Sequence, residues 1–127
     1  MNRKLIWVLQ LVAACIVGGA GGLKFANNPT DMVVFAALDM EPFGRFLIGT
    51  LELLAAALLL SRAFAASGAL LAIGTMLGAA IAHATVLGLE IESDGGRHVA
   101  LLFTVLVTSI PVVLARRREL PLIGRTL

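Results

Sequence analysis

Four apolar runs, 5–23, 46–60, 63–89 and 99–115, fill most of a chain of 127 residues, and none holds more than one Asp, Glu, Lys, Arg or His. Runs this long and this poor in charge restrict the fold more than any motif. In hydrocarbon the backbone needs partners within its own segment, and the α-helix supplies them. At 1.5 Å rise per residue, the first and third runs cross a core of about 30 Å unaided. The second reaches spanning length with Phe43, Gly44 and a snorkelling Arg45, and the fourth ends at Arg116, whose stem reaches the headgroups. A re-entrant path is the alternative for these two. The expectation is an all-α membrane protein: one domain over 1–127, a four-transmembrane-helix bundle with helices at about 5–24, 43–61, 63–89 and 98–115.

Composition points the same way. Hydrophobic residues make up 59% and charged residues 14%, against roughly half and a quarter in soluble domains. Little chain remains for a soluble catalytic domain. The formal charge of +2 comes from basic residues spread over segment ends, not gathered on one face, so nucleic acid is not an expected partner. Cys15 is the only cysteine, which excludes an intrachain disulfide and a CxxC pair. Arg3 and Lys4 before an apolar run resemble a secretory signal, and Val12-Ala13-Ala14-Cys15 a lipoprotein processing site. The spanning length of that run and the three runs after it favour a polytopic protein.

Orientation follows from sorting the loops. One side carries Arg3, Lys4, Arg62, Arg116, Arg117, Arg118 and Arg125 with a single acid, Glu119. The other carries Lys24, Arg45 and Arg97 against Asp31, Asp39, Glu41, Glu90, Glu92 and Asp94. Basic residues beside short loops stay in the cytoplasm, so both termini are expected there, with Trp7 as an interfacial anchor. Residues 25–42 are too few for another pair of crossings, yet Met32, Val33, Phe35, Ala36, Ala37 and Leu38 are too apolar for a solvated loop. A short outer interfacial helix begun near Thr30 accommodates both facts.

Helices in lipid associate where small residues let backbones approach. Gly18 and Gly22 in the first segment, and Gly74, Gly78 and Ala82 in the third, stand four apart and are the expected packing stripes. Pro111 frees the carbonyl of Val107 and predicts a kink, with Thr104 and Thr108 on the same side to satisfy freed carbonyls.

Ionisable residues inside the bilayer normally face protein or water. Glu52 lies about 13 Å and His83 about 9 Å below the outer boundary at helical rise. Lys24 can bend toward them, and Arg45 stands seven residues before Glu52 on the same helix face. A cluster of Lys24, Arg45, Glu52 and His83 is therefore expected in the outer half. It is either a set of struts or a polar pocket for a headgroup, a quinone ring or a proton. No hydrolytic triad emerges. His83 and His98 as haem ligands lack any supporting Met, Cys or pattern of groups to orient the imidazoles, and no metal is expected.

Gly21-Gly22-Leu23-Lys24, Gly49-Thr50-Leu51-Glu52, the stretch from Gly78 to His83, and Asp94-Gly95-Gly96 resemble, in order and spacing, the DoxX-like family of small bacterial four-helix membrane proteins. The resemblance spans most of the chain and carries over Lys24, Glu52 and His83 as the family's polar set. It departs at Leu38-Asp39-Met40-Glu41-Pro42, where many relatives have a Leu-Gly-Pro-like entry, so the outer loop here is more acidic. The family is named for a subunit associated with thiosulfate:quinone oxidoreduction, and other members are linked to oxidative-stress complexes. The resemblance thus implies a bacterial inner-membrane subunit or anchor for quinone-linked redox chemistry. Membrane lipid, a quinone or lipid headgroup, and a soluble or membrane redox partner are the expected contacts; homo-oligomers are compatible with it. The rival is a non-catalytic assembly or scaffold protein or a small lipid-binding protein. A small transporter would need to oligomerise, having no duplicated broken helix.

Overall fold

The computed structural model describes residues 2–126, and the terminal residues of the expected 1–127 domain lie outside them. Among the described residues all regular structure is helical. Helix α1 (Arg3–Phe25) starts at Asn2, whose side chain accepts the Lys4 N–H at 2.8 Å, and ends where Asn27 turns to φ 57°. Helix α2 (Pro29–Ala37) opens with proline at its first position, and α3 spans Phe43–Leu59. Helix α4 (Ala65–Ala82) runs into a π-helical turn, His83–Leu87, that stops at Gly88 with φ 77°. Helix α5 (Arg97–Arg116) continues through Pro111. Thr104 and Thr108 donate to carbonyls one turn back on their own helix, at Ala100 and Thr104. Val107, whose carbonyl the proline frees, is 67% exposed.

The start of α5 is fixed by one side chain. Asp94 accepts N–H bonds from Ile91, Gly96 and His98, and its Oδ2 lies 2.5 Å from His98 Nδ1. That contact, reinforced by the backbone donors, holds the Asp94 carboxyl well below the usual carboxylate range.

The four longer helices pack in the cyclic order α1, α3, α4, α5. Their shared core is built mainly of small residues: Ala13, Ala14, Ala55, Ala56, Ala65, Ala69 and Ala72 lie within it beside Val17, Leu59 and Val105. Larger side chains such as Leu47, Leu77, Ile81, Phe103 and Val107 are on the outside. Small inside and large outside suits a hydrocarbon solvent, in which helices gain by close approach and lose nothing by exposing leucine. Three helical stretches, Arg3–Phe25, Ala65–Leu87 and Arg97–Glu119, are long and apolar enough to cross a membrane, as a multi-pass membrane protein requires. Helix α3, at 17 residues, rises about 26 Å and falls short of the core thickness on its own.

Helix α2 packs against α1, α3 and the π-helical turn. It turns Asp31 and Phe35, one helical turn apart, inward and leaves Met32 and Val33 exposed. Helix close approach occurs elsewhere than the spacing-four stripes predict. A Cβ at Gly22, Gly74 or Gly78 would meet nothing within 4 Å, so these three glycines face outward and pack no helix of this chain. Gly18 does pack, against Ala56. The tightest crossing is at Gly68, where a Cβ would lie 2.6 Å from the Leu59 nitrogen and 2.9 Å from the Ala55 carbonyl oxygen.

Candidate functional site

Where the C-terminal end of α1 meets the N-terminal half of α3, the two helices touch backbone to backbone. A Cβ on Gly21 would come 2.9 Å from the Gly49 carbonyl oxygen, and one on Gly49 would come 3.1 Å from Lys24 Cβ. Each glycine stands three residues before an ionisable residue, Gly21 before Lys24 and Gly49 before Glu52, so close approach and charge share one helix face. The result is a short ion pair, with Lys24 Nζ 2.7 Å from Glu52 Oε1. Glu52 is 2% exposed and Lys24 9%. Apart from this ammonium, no donor reaches that oxygen among the described residues.

Asp31 of α2 joins from above, its Oδ1 3.8 Å from Lys24 Nζ, and is held by Asn28 Nδ2 at 3.1 Å. The sequence reading did not include it. Its signal was its position in the first turn of a helix whose partner, four residues on, is the inward-facing Phe35.

Arg45 does not snorkel toward water. At 3% exposure it is folded inward, where it forks onto Glu41 (Nη2 to Oε1, 2.7 Å), donates to Asn27 Oδ1 at 2.9 Å and donates to the Lys24 carbonyl. Its guanidinium also lies 4.5 Å from the centre of the Phe46 ring. Arg45 therefore ties the end of α1 to the start of α3 instead of pairing with Glu52. Among Lys24, Arg45, Asp31, Glu41 and Glu52 there is one more carboxylate than cation.

No hydrogen bond or ion pair joins His83 to this network among the described residues. It opens the π-helical turn and its Nδ1 is 2.8 Å from the Gly88 carbonyl oxygen. A carbonyl only accepts, so Nδ1 carries the proton and, in the neutral ring, Nε2 is left as an acceptor. Beside it a cavity of about 130 Å³ lies between α4 and α5, lined by His83, Ala80, Leu89, Leu102 and Phe103 among others. The expected four-residue cluster thus resolves into Lys24 paired with Glu52 and near Asp31, an adjoining Arg45–Glu41 pair, and an imidazole beside an apolar cavity. His98 is committed to Asp94, and no three His, Cys, Asp or Glu side chains converge as a metal site among the described residues.

A second polar junction sits at the other end of the bundle. Gln10, fully buried in α1, donates to the Leu59 carbonyl at 2.8 Å and accepts from Arg116 Nε at 2.6 Å. Arg116 also pairs with Glu119 and lies 5.5 Å from the Trp7 ring. In comparisons with known proteins, no family model, curated protein or solved structure matches this chain.

Proposed function

We propose that this chain is a DoxX-like protein of the bacterial cytoplasmic membrane, crossing it four times with both termini inside, and acting as a membrane subunit or anchor in quinone-linked redox chemistry. The observation that carries the ligand part of this reading is the pairing of His83 with the apolar cavity between α4 and α5. A cavity of about 130 Å³ suits a single ring, and a fixed imidazole offers one acceptor to a ring hydroxyl, the combination of apolar wall and sparse polar group usual in small-molecule sites. π-helical turns recur at functional positions. The Lys24–Glu52 pair, closed at 2.7 Å, supports a separate role as the clamp that keeps α1 and α3 in register. The fourth crossing, α3, is short by itself, and its buried Arg45 is compatible with a span completed by Pro42 and the loop toward α2.

That same closed pair favours a second reading, a non-catalytic assembly protein whose charges are struts. Quinone content separates the two. Protein purified in mild detergent from a quinone-replete membrane is expected to carry extractable quinone, and His83→Ala to lose most of it while keeping helical content and melting temperature. Wild-type protein free of quinone, or His83→Ala with undiminished quinone, would overturn the redox reading in favour of the assembly protein.

A further inference from the structure

Helix α5 gives way to a 3₁₀ turn at Arg117–Glu119, and the chain then folds back to a second one at Gly124–Thr126. This hook is built, not loose. The Leu120 N–H donates to the Arg117 carbonyl at 3.2 Å and the Gly124 N–H to the Leu120 carbonyl at 2.9 Å. Leu120 is buried, and Gly124 sits so close to the Arg118 backbone that a Cβ there would collide with its carbonyl. The fold-back borders a half-open hollow of about 450 Å³ lined by Arg118, Leu120, Pro121, Leu122, Gly124 and Arg125.

The arginines of this region are not equivalent. Arg116 is bonded to Gln10 and Glu119, and Arg117 donates to the Leu114 carbonyl at 2.6 Å. Arg118 and Arg125, the two that line the cavity, have no carboxylate within 4 Å among the described residues. Beside them Leu122 projects fully exposed from a backbone at φ 69°, and Ile123 is 55% exposed. A positive φ is costly for a leucine, and here it directs a large apolar side chain away from the protein.

Two guanidiniums without an acidic partner among the described residues, a headgroup-sized hollow and two outward apolar side chains at one point match a ligand that joins a phosphate to an acyl chain. We propose that the C-terminal hook binds an anionic phospholipid, with the phosphate between Arg118 and Arg125 and with Leu122 and Ile123 entering the acyl region beside it. The planar guanidinium fork suits phosphate oxygens, and basic residues directly after a membrane helix lie at headgroup level. The proposal rests on α5 crossing the bilayer, which puts the hook at that level.

The test uses the full chain in mild detergent, titrated with dioleoylphosphatidylglycerol or dioleoylphosphatidylcholine and read by native mass spectrometry. Phosphatidylglycerol is expected to be retained at least about tenfold more strongly. Arg118→Gln with Arg125→Gln should weaken it about 25-fold, at about fivefold per arginine, while Arg62→Gln should leave it unchanged. Leu122→Ser with Ile123→Ser should weaken lipid retention too. Equal retention of the two lipids, or undiminished phosphatidylglycerol in the arginine double variant, would overturn the proposal. Displacement of the lipid by millimolar inorganic phosphate would also overturn it, by showing a site for the free anion. Alkaline carbonate extraction of membranes beforehand distinguishes the premise: release of the chain would overturn the spanning reading and the lipid site together. A retained chain without lipid preference overturns only the site.

Discussion

Glu52 shows what one carboxylate costs and contributes inside an apolar bundle. It is almost wholly buried, and Lys24 is its nearest cation. Neutralising it alone leaves the ammonium with the Ala20 carbonyl and the more distant carboxylate of Asp31. Breaking one half of a buried pair typically costs about 3 to 5 kcal/mol, whereas removing both halves costs much less. Glu52→Gln is therefore expected to lower the melting temperature in detergent sharply, and Lys24→Met combined with Glu52→Met to recover most of the loss. A double variant as unstable as Glu52→Gln would show that the pair is not the source of the effect. Asp94 is a second residue with a measurable signature. Its folded-state carboxyl is held below its ordinary value chiefly by His98. The stabilisation is thus fully present above the unfolded value of about 3.9 and is lost as pH falls below it. Asp94→Asn should melt lower than wild type at pH 7, and the gap between the two should narrow as pH drops from about 4 toward 2. A gap constant across that range would contradict the assigned contact. The sequence made Lys24 and Glu52 legible, because a charge in an apolar run must find a partner. It did not show that the His83 bond goes to the Gly88 carbonyl, because depth arithmetic gives a level along the bilayer normal and not the direction around the helix axis. Gln10 was missed since an uncharged side chain does not interrupt an apolar run.

At the scale of the helices, the glycines divide by what faces them. Gly68 meets backbone atoms of α3 that cannot yield, while Gly74 and Gly78 meet nothing within 4 Å. Gly68→Ala is expected to destabilise by about 1 to 3 kcal/mol, the usual range for overpacking. Gly78→Ala should be neutral or stabilising, since alanine lowers the backbone entropy lost in a helix. Chemical unfolding of the two variants side by side checks this. A destabilised Gly78→Ala would mean that a second copy of the chain covers that face. Spacing alone could not make this division: residues four apart share a face, but the pattern does not say whether that face meets a neighbour or lipid. Gly-x-x-Lys on α1 and Gly-x-x-Glu on α3 were the more telling pattern, since each joins close approach to a charge needing a partner. Helix α2 was legible because its residues are too apolar for a solvated loop and too few to cross.

For the whole molecule, the number of crossings sets the topology. Three helical stretches have the length, and α3 is the short one. Reporter fusions after Leu60 and after Leu127 are expected to report cytoplasm, and fusions near Asp31 and Asp94 the opposite side, from the uneven distribution of arginine and lysine. A cytoplasmic signal at Asp94 would remove one crossing and overturn the four-span topology. The class of fold was readable from the apolar runs themselves, whereas the cyclic packing order was not, because hydrophobicity in a lipid-exposed helix does not mark its buried side.

The polar ties are unevenly distributed around that ring. Lys24, Arg45 and Asp31 fasten α1, α2 and α3 at one end, and Gln10 with Arg116 fastens α1, α3 and α5 at the other. Among the described residues, no side-chain hydrogen bond or ion pair links α4 to any other helix. Mechanically, the molecule is a three-sided frame latched top and bottom, with α4 held against it as a panel by contact alone. Tilting that panel along its α5 seam, which borders the His83 cavity, breaks no latch, whereas at Gly68 the α3 seam is fixed by backbone contact.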